Sequence, residues 1–264
     1  MKLLLTKLVL VAATLTSVAA PVKANQLNDI VEVVLLPGWR MEDGHHMAGL
    51  QINLAPGWKT YWRQPGDSGI SPFFDFSESK NVGKVNVLFP TPKVTWVDNF
   101  RTISYSQTVI FPLLVQPDIR KPINLTGQVQ IGVCQEICIP VSLKVKAQLP
   151  ISSTKDIAIL AAIQAQPKKM DMPVFCKFHP IEGGMYLRLS LPAPPSGITD
   201  ATIELANASL WVSTPKITLK DDKLIVEASV LTSTGSFVSV TRSAVTTTLF
   251  GQKKSFSYTG CQGS

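Results

Sequence analysis

Two cysteines, Cys134 and Cys138, are separated by three residues in the stretch Val-Cys-Gln-Glu-Ile-Cys-Ile-Pro. Thiols so placed can form a structural bridge, hold a soft metal ion or exchange electrons with another thiol pair. Two more cysteines, Cys176 and Cys261, make three disulfide pairings possible. In the chain-entropy description a 134–138 bridge closes about five residues and stabilises by roughly 2 kcal/mol, before any strain. A bridge between Cys176 and Cys261 closes about 85 residues and stabilises by about 4.5 kcal/mol. The wide loop suits a structural disulfide, Cys176–Cys261. The small one suits an exchangeable pair, Cys134–Cys138.

A metal site needs more ligands than two thiolates. Cys-Gln-Glu-Ile-Cys resembles the dinuclear copper loop of cytochrome oxidase subunit II, which continues with a histidine four residues on and then a methionine. Here Ser142, Val145 and Lys146 fill that neighbourhood, and none of them is a soft copper ligand. The histidines, His45, His46 and His179, are remote in sequence, and His45-His46 beside Asp43 and Met47 reads as a polar turn. With no dependable third ligand zinc is poorly supported as well. Neither a Ser/His/Asp order nor a P-loop nor a Gly-rich nucleotide fingerprint is present. No metal and no cofactor are expected.

The elements that hold the cysteines follow from periodicity. Residues 125–133 (LTGQVQIGV) and 139–149 (IPVSLKVKAQL) both alternate apolar and polar, which predicts an antiparallel hairpin with the cysteines opposed where the strands meet. Strand-like segments at 27–36, 47–54, 82–89, 103–109 and 110–115 precede it, with turn signals at Pro37-Gly38, Pro56-Gly57, Pro90/Pro92, Asp98-Asn99 and Pro117-Asp118. Between them lies 58–76, WKTYWRQPGDSGISPFFDF, which reads as a short strand running into a long ordered loop. Trp58 and Phe76 read as core aromatics. Tyr61, Arg63 and Asp67 are polar groups set among aromatics and suit a place beside a site.

Regular short strands without a long helical pattern indicate a β-sandwich over 25–150. The pattern breaks at Pro150. Ile157, Leu160, Ala161 and Ile163 share a helical face, with Ser153 or Thr154 as cap and Pro167 as stop, so 151–168 is a connecting helix. Strands resume at 185–191, 203–205, 210–211, 217–219, 224–230, 236–240 and 244–250, making 169–264 a second, smaller sandwich. The fold class expected is all-β: two immunoglobulin-like sandwiches joined by a short helix.

Residues 1–24 form a different object. Lys2 and Lys7 precede the apolar stretch 8–20, and Val22-Lys23-Ala24 offers a cleavage site, so a signal peptide and a start at Asn25 are expected. Its removal lowers the formal charge from +7 to +4, a mild excess without a Lys/Arg cluster interleaved with aromatics. Nucleic acid is therefore not an expected partner. No later stretch approaches about 18 apolar residues, so no stable membrane insertion is expected, and export permits disulfides.

Tyr61-Trp-Arg-Gln-Pro-Gly-Asp-Ser-Gly69, Pro72, Phe74-Asp75, Tyr105 and Val-Cys134-Gln-Glu-Ile-Cys138-Ile-Pro140 together resemble the DsbD N-terminal-domain family, closest to the ScsB-type branch. The resemblance covers most of 30–150, and the helix followed by a second β-region is similar to ScsB-type alpha regions. It implies an immunoglobulin-like periplasmic domain whose cysteine pair relays electrons. The donor would be a membrane-embedded thiol reductase and the acceptors oxidised periplasmic proteins, a protein-disulfide-reductase type of role. In that family the second cysteine attacks, a role that carries over by order to Cys138, with Cys134 resolving. The family's DsbD type spaces its cysteines more widely. With no transmembrane core and no C-x-x-C in these residues, the resemblance implies a reductant borrowed from another protein. Tyr61, Arg63, Asp67 and Tyr105 would wall or cap the pair. Glu136, between the cysteines, would oppose thiolate formation or shuttle a proton, or stand as an exposed carboxylate at the hairpin tip. The alternative to a relay is a non-catalytic binding or copper-handling module, with the pair as a staple or a Cu(I) site.

Overall fold

The computed structural model describes residues 27, 29–118, 121–192, 197–206, 210–232 and 239–263. The expected signal peptide, 1–24, and most of the expected strand 236–240 lie outside them. The chain is all-β apart from one α-helix and a single 3₁₀ turn among the described residues. Ten strands precede the helix: β1 (Val31–Arg40), β2 (His46–Leu54), β3 (Lys59–Gly66), β4 (Phe73–Asp75), β5 (Lys84–Val87), β6 (Lys93–Val97), β7 (Phe100–Ser106), β8 (Thr108–Gln116), β9 (Ile123–Cys134) and β10 (Cys138–Leu149). They form two sheets, β1-β2-β8-β5 and β10-β9-β3-β7-β6, with β4 added on β9. The inward residues of both sheets, among them Leu50, Ile52, Phe111, Leu113, Leu125, Val129 and Ile131, make the core, and Trp58 and Phe76 pack against it. This is the sandwich that alternation demands, since each strand has one apolar face to hide.

Local details differ from the sequence reading for identifiable reasons. Pro37-Gly38 does not end the first strand. It makes a bulge between Leu36 and Trp39, after which β1 rejoins β2 through Trp39↔Met47 and Arg40↔His46. The turn between β7 and β8 falls at Gln107, in the left-handed region at φ 64°, and not between 109 and 110. Asp98 and Asn99, at φ 48° and 67°, supply the tight turn of a β6–β7 hairpin whose first strand the sequence reading missed. In β2 the alternation serves two partners. Ala48, Leu50 and Ile52 enter the sandwich core, while Met47 faces outward against the helix.

That helix, α1 (Ile157–Gln164), is capped by Asp156, whose carboxylate accepts from the amides of Ala158 and Ile159 at 2.8 and 3.1 Å. Ser153 and Thr154, the expected caps, lie outside it, because chain geometry lets Asp156 reach both free amides. Buried Ile159 seats the helix on Trp39 and Met47, on the outer face of the first sandwich.

His46 is fully buried where β2 opens. Its Nε2 lies 2.6 Å from the Pro37 carbonyl and donates to it, and its Nδ1 is buried without a partner among the described residues. Burial holds its pKa below the ordinary 6.5; the Pro37 carbonyl opposes this and the charge of Arg40 adds to it. The folded state thus binds fewer protons than the unfolded one. Stability is full above about pH 6.5 and falls as pH drops below it, by at most about 1.4 kcal/mol per pH unit. Melting temperatures measured from pH 7.5 to 5.5 should fall in the wild type and stay flatter in His46→Gln; parallel curves would exclude this account.

After the helix come β11 (Lys168–Lys169), β12 (Phe175–Ile181), β13 (Gly184–Pro192), β14 (Ile198–Leu205), β15 (Leu210–Val212), β16 (Lys216–Lys220), β17 (Lys223–Thr232), β18 (Val245–Gly251), β19 (Phe256–Thr259) and β20 (Gln262–Gly263). Again two sheets form, β11-β19-β18-β14 and β15-β17-β13-β12-β20, with β16 on β17. Leu187, Leu189, Val226, Val230 and Leu249 fill the space between them. Cys176 on β12 is bonded to Cys261, beside that core, at a Cα separation of 5.7 Å.

Candidate functional site

The hairpin β9–β10 pairs without interruption from Cys134↔Cys138 to Ile123↔Leu149. β-branched residues on the inward positions fix this register, because a slip by one residue would turn Val129, Ile131 and Val133 out of the core. Opposed residues in an antiparallel pair share a face, so the register itself brings the two sulfurs together. Cys134 and Cys138 are bonded, with their Cα atoms 4.1 Å apart. The bond lies on the outer face of its sheet, with Lys59 of β3 beside Cys134.

Burial divides the pair. Cys134 is 1 % exposed, whereas Cys138 is open to solvent and flanked by Ile137, 71 % exposed. Among the described residues, two groups besides Cys134 approach the Cys138 sulfur. The Tyr61 hydroxyl lies 3.4 Å from it, and the Ser68 carbonyl 3.8 Å. Burial raises the Tyr61 pKa above its ordinary value, so at neutral pH the hydroxyl keeps its proton and donates. Donation to a Cys138 thiolate would favour that anion, and the Ser68 carbonyl would accept from a Cys138 thiol.

Residues 66–70 form a cap beside the disulfide. The segment fits only because two residues lack side chains. A Cβ on Gly69 would lie 2.4 Å from the Tyr61 ring, and one on Gly132 of β9 would lie 2.7 Å from Ile70. The cap is tied down by Asp67, whose amide donates to the Arg101 carbonyl at 2.8 Å and whose carboxylate accepts the Arg101 amide at 2.6 Å.

The residues singled out in the sequence therefore separate. Tyr61 and the segment of Asp67 reach the cysteines. Arg63 turns away: its guanidinium stacks 3.9 Å over the Trp62 ring and forms a bidentate pair with Glu204 of β14, at 2.6 and 2.7 Å. Tyr105 is a core residue, edge-on to Phe111 at 5.4 Å, and its hydroxyl donates to the Pro90 carbonyl at 2.7 Å. Its burial raises the pKa well above the ordinary tyrosine value. Glu136 is exposed at the hairpin tip. His45 and His46 lie at the start of β2, in the opposite sheet, with their ring nitrogens directed to Asp43 and Pro37. Sequence reasoning missed Ser68, Ile70 and Arg101. The Pro-Gly-Asp-Ser-Gly run signalled a turn there, but nothing in it signalled which backbone groups would face the sulfur.

The sequence profile of the family described as "Thiol:disulfide interchange protein DsbD, N-terminal" matches residues 32–150. No curated protein matches the chain. Among solved structures, the N-terminal periplasmic domain of ScsB from Proteus mirabilis superposes with a TM-score of 0.65 at 22 % identity, covering 90 % of this chain and 95 % of that one. This likeness runs through both sandwiches and shows a shared fold. The profile match spans the cap and the cysteine hairpin together, and the first sandwich of this chain belongs to the DsbD N-terminal-domain family.

Proposed function

We propose that the chain is a periplasmic thiol–disulfide interchange protein that relays electrons through Cys138 and Cys134. The observation that carries this reading is the unequal burial of one bonded pair, Cys138 exposed and Cys134 at 1 %. An incoming thiolate can approach only the outer sulfur in line with the bond. In the loading step a donor thiolate attacks Cys138 Sγ, the Cys134–Cys138 bond breaks and Cys134 leaves as the thiolate. A second donor thiol then attacks the donor sulfur of the mixed disulfide, expels Cys138 as a thiolate and leaves the donor oxidised. Two electrons have moved to the pair. The unloading step runs through the same sulfur. Cys138 thiolate attacks a target disulfide, and Cys134 thiolate then attacks Cys138 Sγ, re-forming the bond and releasing the target reduced. The donor is a membrane-embedded thiol reductase and the targets are oxidised periplasmic proteins, roles supported by the family to which the first sandwich belongs.

Tyr61 and Ser68 serve this cycle by steadying Cys138 in either protonation state. The cap leaves room for a protein partner at the exposed sulfur while covering the pair from the side.

The test is the reduction potential of the Cys134–Cys138 pair, equilibrated against defined thiol buffers with and without Cu(I). An exposed, exchangeable pair should titrate above about −300 mV, the range below which structural disulfides fall. A value below that, or stoichiometric Cu(I) uptake by the reduced chain, would replace the relay with a staple or a copper site.

A further inference from the structure

The strand that carries Tyr61 is not continuously held by its own sheet. β3 pairs with β7 at Tyr61↔Ser104 and again at Gly66↔Thr102, so residues 62–65 face Ile103 alone and bulge from the ladder. The cap begins where this bulge ends. Gly66, at φ +91°, closes the bulge with its Cα against the Arg101 carbonyl, where a Cβ would approach within 2.3 Å. A bulge of this length loses ladder hydrogen bonds and needs support from elsewhere.

That support comes from the second sandwich: Phe250 of β18 packs edge-on to Trp62, with ring centroids 5.5 Å apart, and β14 supplies the polar contacts. Glu204 of β14 takes the Arg63 guanidinium in two hydrogen bonds, and the Ile203 carbonyl accepts from the Gln64 side chain at 3.2 Å. Four residues earlier on the same strand, Asp200 binds the Arg101 guanidinium through one carboxylate oxygen and Trp96 Nε1, at 2.9 Å, through the other. Arg101 and Asp200 are almost fully enclosed, with side chains 5 % and 7 % exposed. Arg101 is also the residue whose peptide holds Asp67. A continuous set of contacts thus runs from β14 through Arg63 and Arg101 to the cap, and from the cap to Cys138.

We propose that β14 is a clamp that keeps the cap closed over the cysteine pair, with Asp200 and Glu204 as positioning residues for Cys138. Tandem sandwiches need not be coupled to a redox site, but here the ion pairs that join them fall on the two residues that flank the cap, Arg63 before it and Arg101 across from it. Charge-assisted hydrogen bonds of this kind are the strong class, and they lose most when one partner is removed from an enclosed site. Releasing the clamp frees the bulge, loosens Asp67 and lets 66–70 move off the sulfur. The second sandwich is then part of the site, setting how readily Cys138 is attacked. Its meaning for exchange rests on the relay reading of Cys134–Cys138; the contacts do not.

The test uses the full oxidised chain and glutathione as a small thiol, with quenched samples alkylated and each disulfide followed separately by mass spectrometry. Glu204→Ala removes the partly exposed half of the clamp. It should speed reduction of Cys134–Cys138 about tenfold, the change in local opening that loss of one charge-assisted pair produces. Reduction of Cys176–Cys261 should stay as in the wild type. Asp200→Asn should act in the same direction and more strongly; if that variant does not fold, Glu204→Ala decides alone. A Cys134–Cys138 rate within twofold of wild type in Glu204→Ala would overturn the proposal. So would acceleration of both disulfides in step, which would mean a general loss of stability in place of a released cap. No partner protein enters the assay, so the clamp can fail while the relay stands, and the relay can fail while the clamp stands.

Discussion

On the relay reading, Cys138→Ser should abolish disulfide exchange, lowering the rate at which the reduced chain attacks an oxidised partner's disulfide by roughly a thousandfold or more, as expected when the attacking thiol is removed. The reason is geometric. Cys134 keeps its thiol in this variant, but at 1 % exposure it cannot reach a partner's sulfur. Cys134→Ser has a different outcome. Cys138, now a free thiol, still attacks the oxidised partner's disulfide, yet nothing behind it can resolve the bond, and a mixed disulfide through Cys138 should accumulate. Non-reducing gels and the mass of the trapped species read both results. Trapping through Cys134 would reverse the assigned roles, and wild-type exchange in either variant would exclude the relay. Each substitution removes one sulfur of the same pair, so their contrast reports on position and not on chemistry.

The second large effect concerns stability. Replacing Cys176 and Cys261 together by serine should lower the unfolding free energy by about 4.5 kcal/mol, because the bond closes a loop between positions 85 apart in the chain. The same treatment of Cys134 and Cys138, 4 apart, should cost about 2 kcal/mol. Denaturant unfolding under non-reducing conditions measures both. A loss below about 1 kcal/mol from the first pair would show that β12 and the end of the chain are held by their sheet contacts and not by the bond. The contrast matters for the site as well. On the relay reading, one disulfide would open and close in a working cycle at modest cost to the fold, while the other would hold the second sandwich throughout.

The hairpin was legible in the sequence because its signals are local. Period-two alternation on either side of Gln135-Glu136-Ile137 sets the register, and the register sets the sulfurs opposite each other. Tyr61 was legible too, as a polar aromatic next to a Pro-Gly-Asp turn. What escaped depends on partners far along the chain. Arg63 looked like a residue of the site, but its carboxylate partner lies 141 positions away, on a strand that reads Ile-Thr-Asp-Ala-Thr-Ile-Glu-Leu. In such a strand Asp200 and Glu204 look like ordinary solvent-facing positions. Tyr105 was placed near the cysteines by resemblance, and core packing against Phe111 took it elsewhere. The helix cap was a closer contest, since Ser153, Thr154 and Asp156 are all good cap residues and only the helix's first free amides choose among them. Pro37-Gly38 misled for the opposite reason. The pair is a strong local stop signal, overridden because Trp39 and Arg40 still find partners on β2.

The closure of the second sandwich has a mechanical side. Its first long strand, β12, and its last, β20, lie side by side in parallel; the Gln262 amide donates to the Val174 carbonyl at 2.8 Å, and Cys176 is joined to Cys261. Entry and exit are therefore one covalent bridge apart. Tension applied between the helix and the final strand passes across that bridge, so the covalent path bypasses the hairpins between Cys176 and Cys261. Pulled from its two ends, the second sandwich is a bead on a taut thread, and the load falls on the grip of β14 on the first sandwich, where the helix is seated.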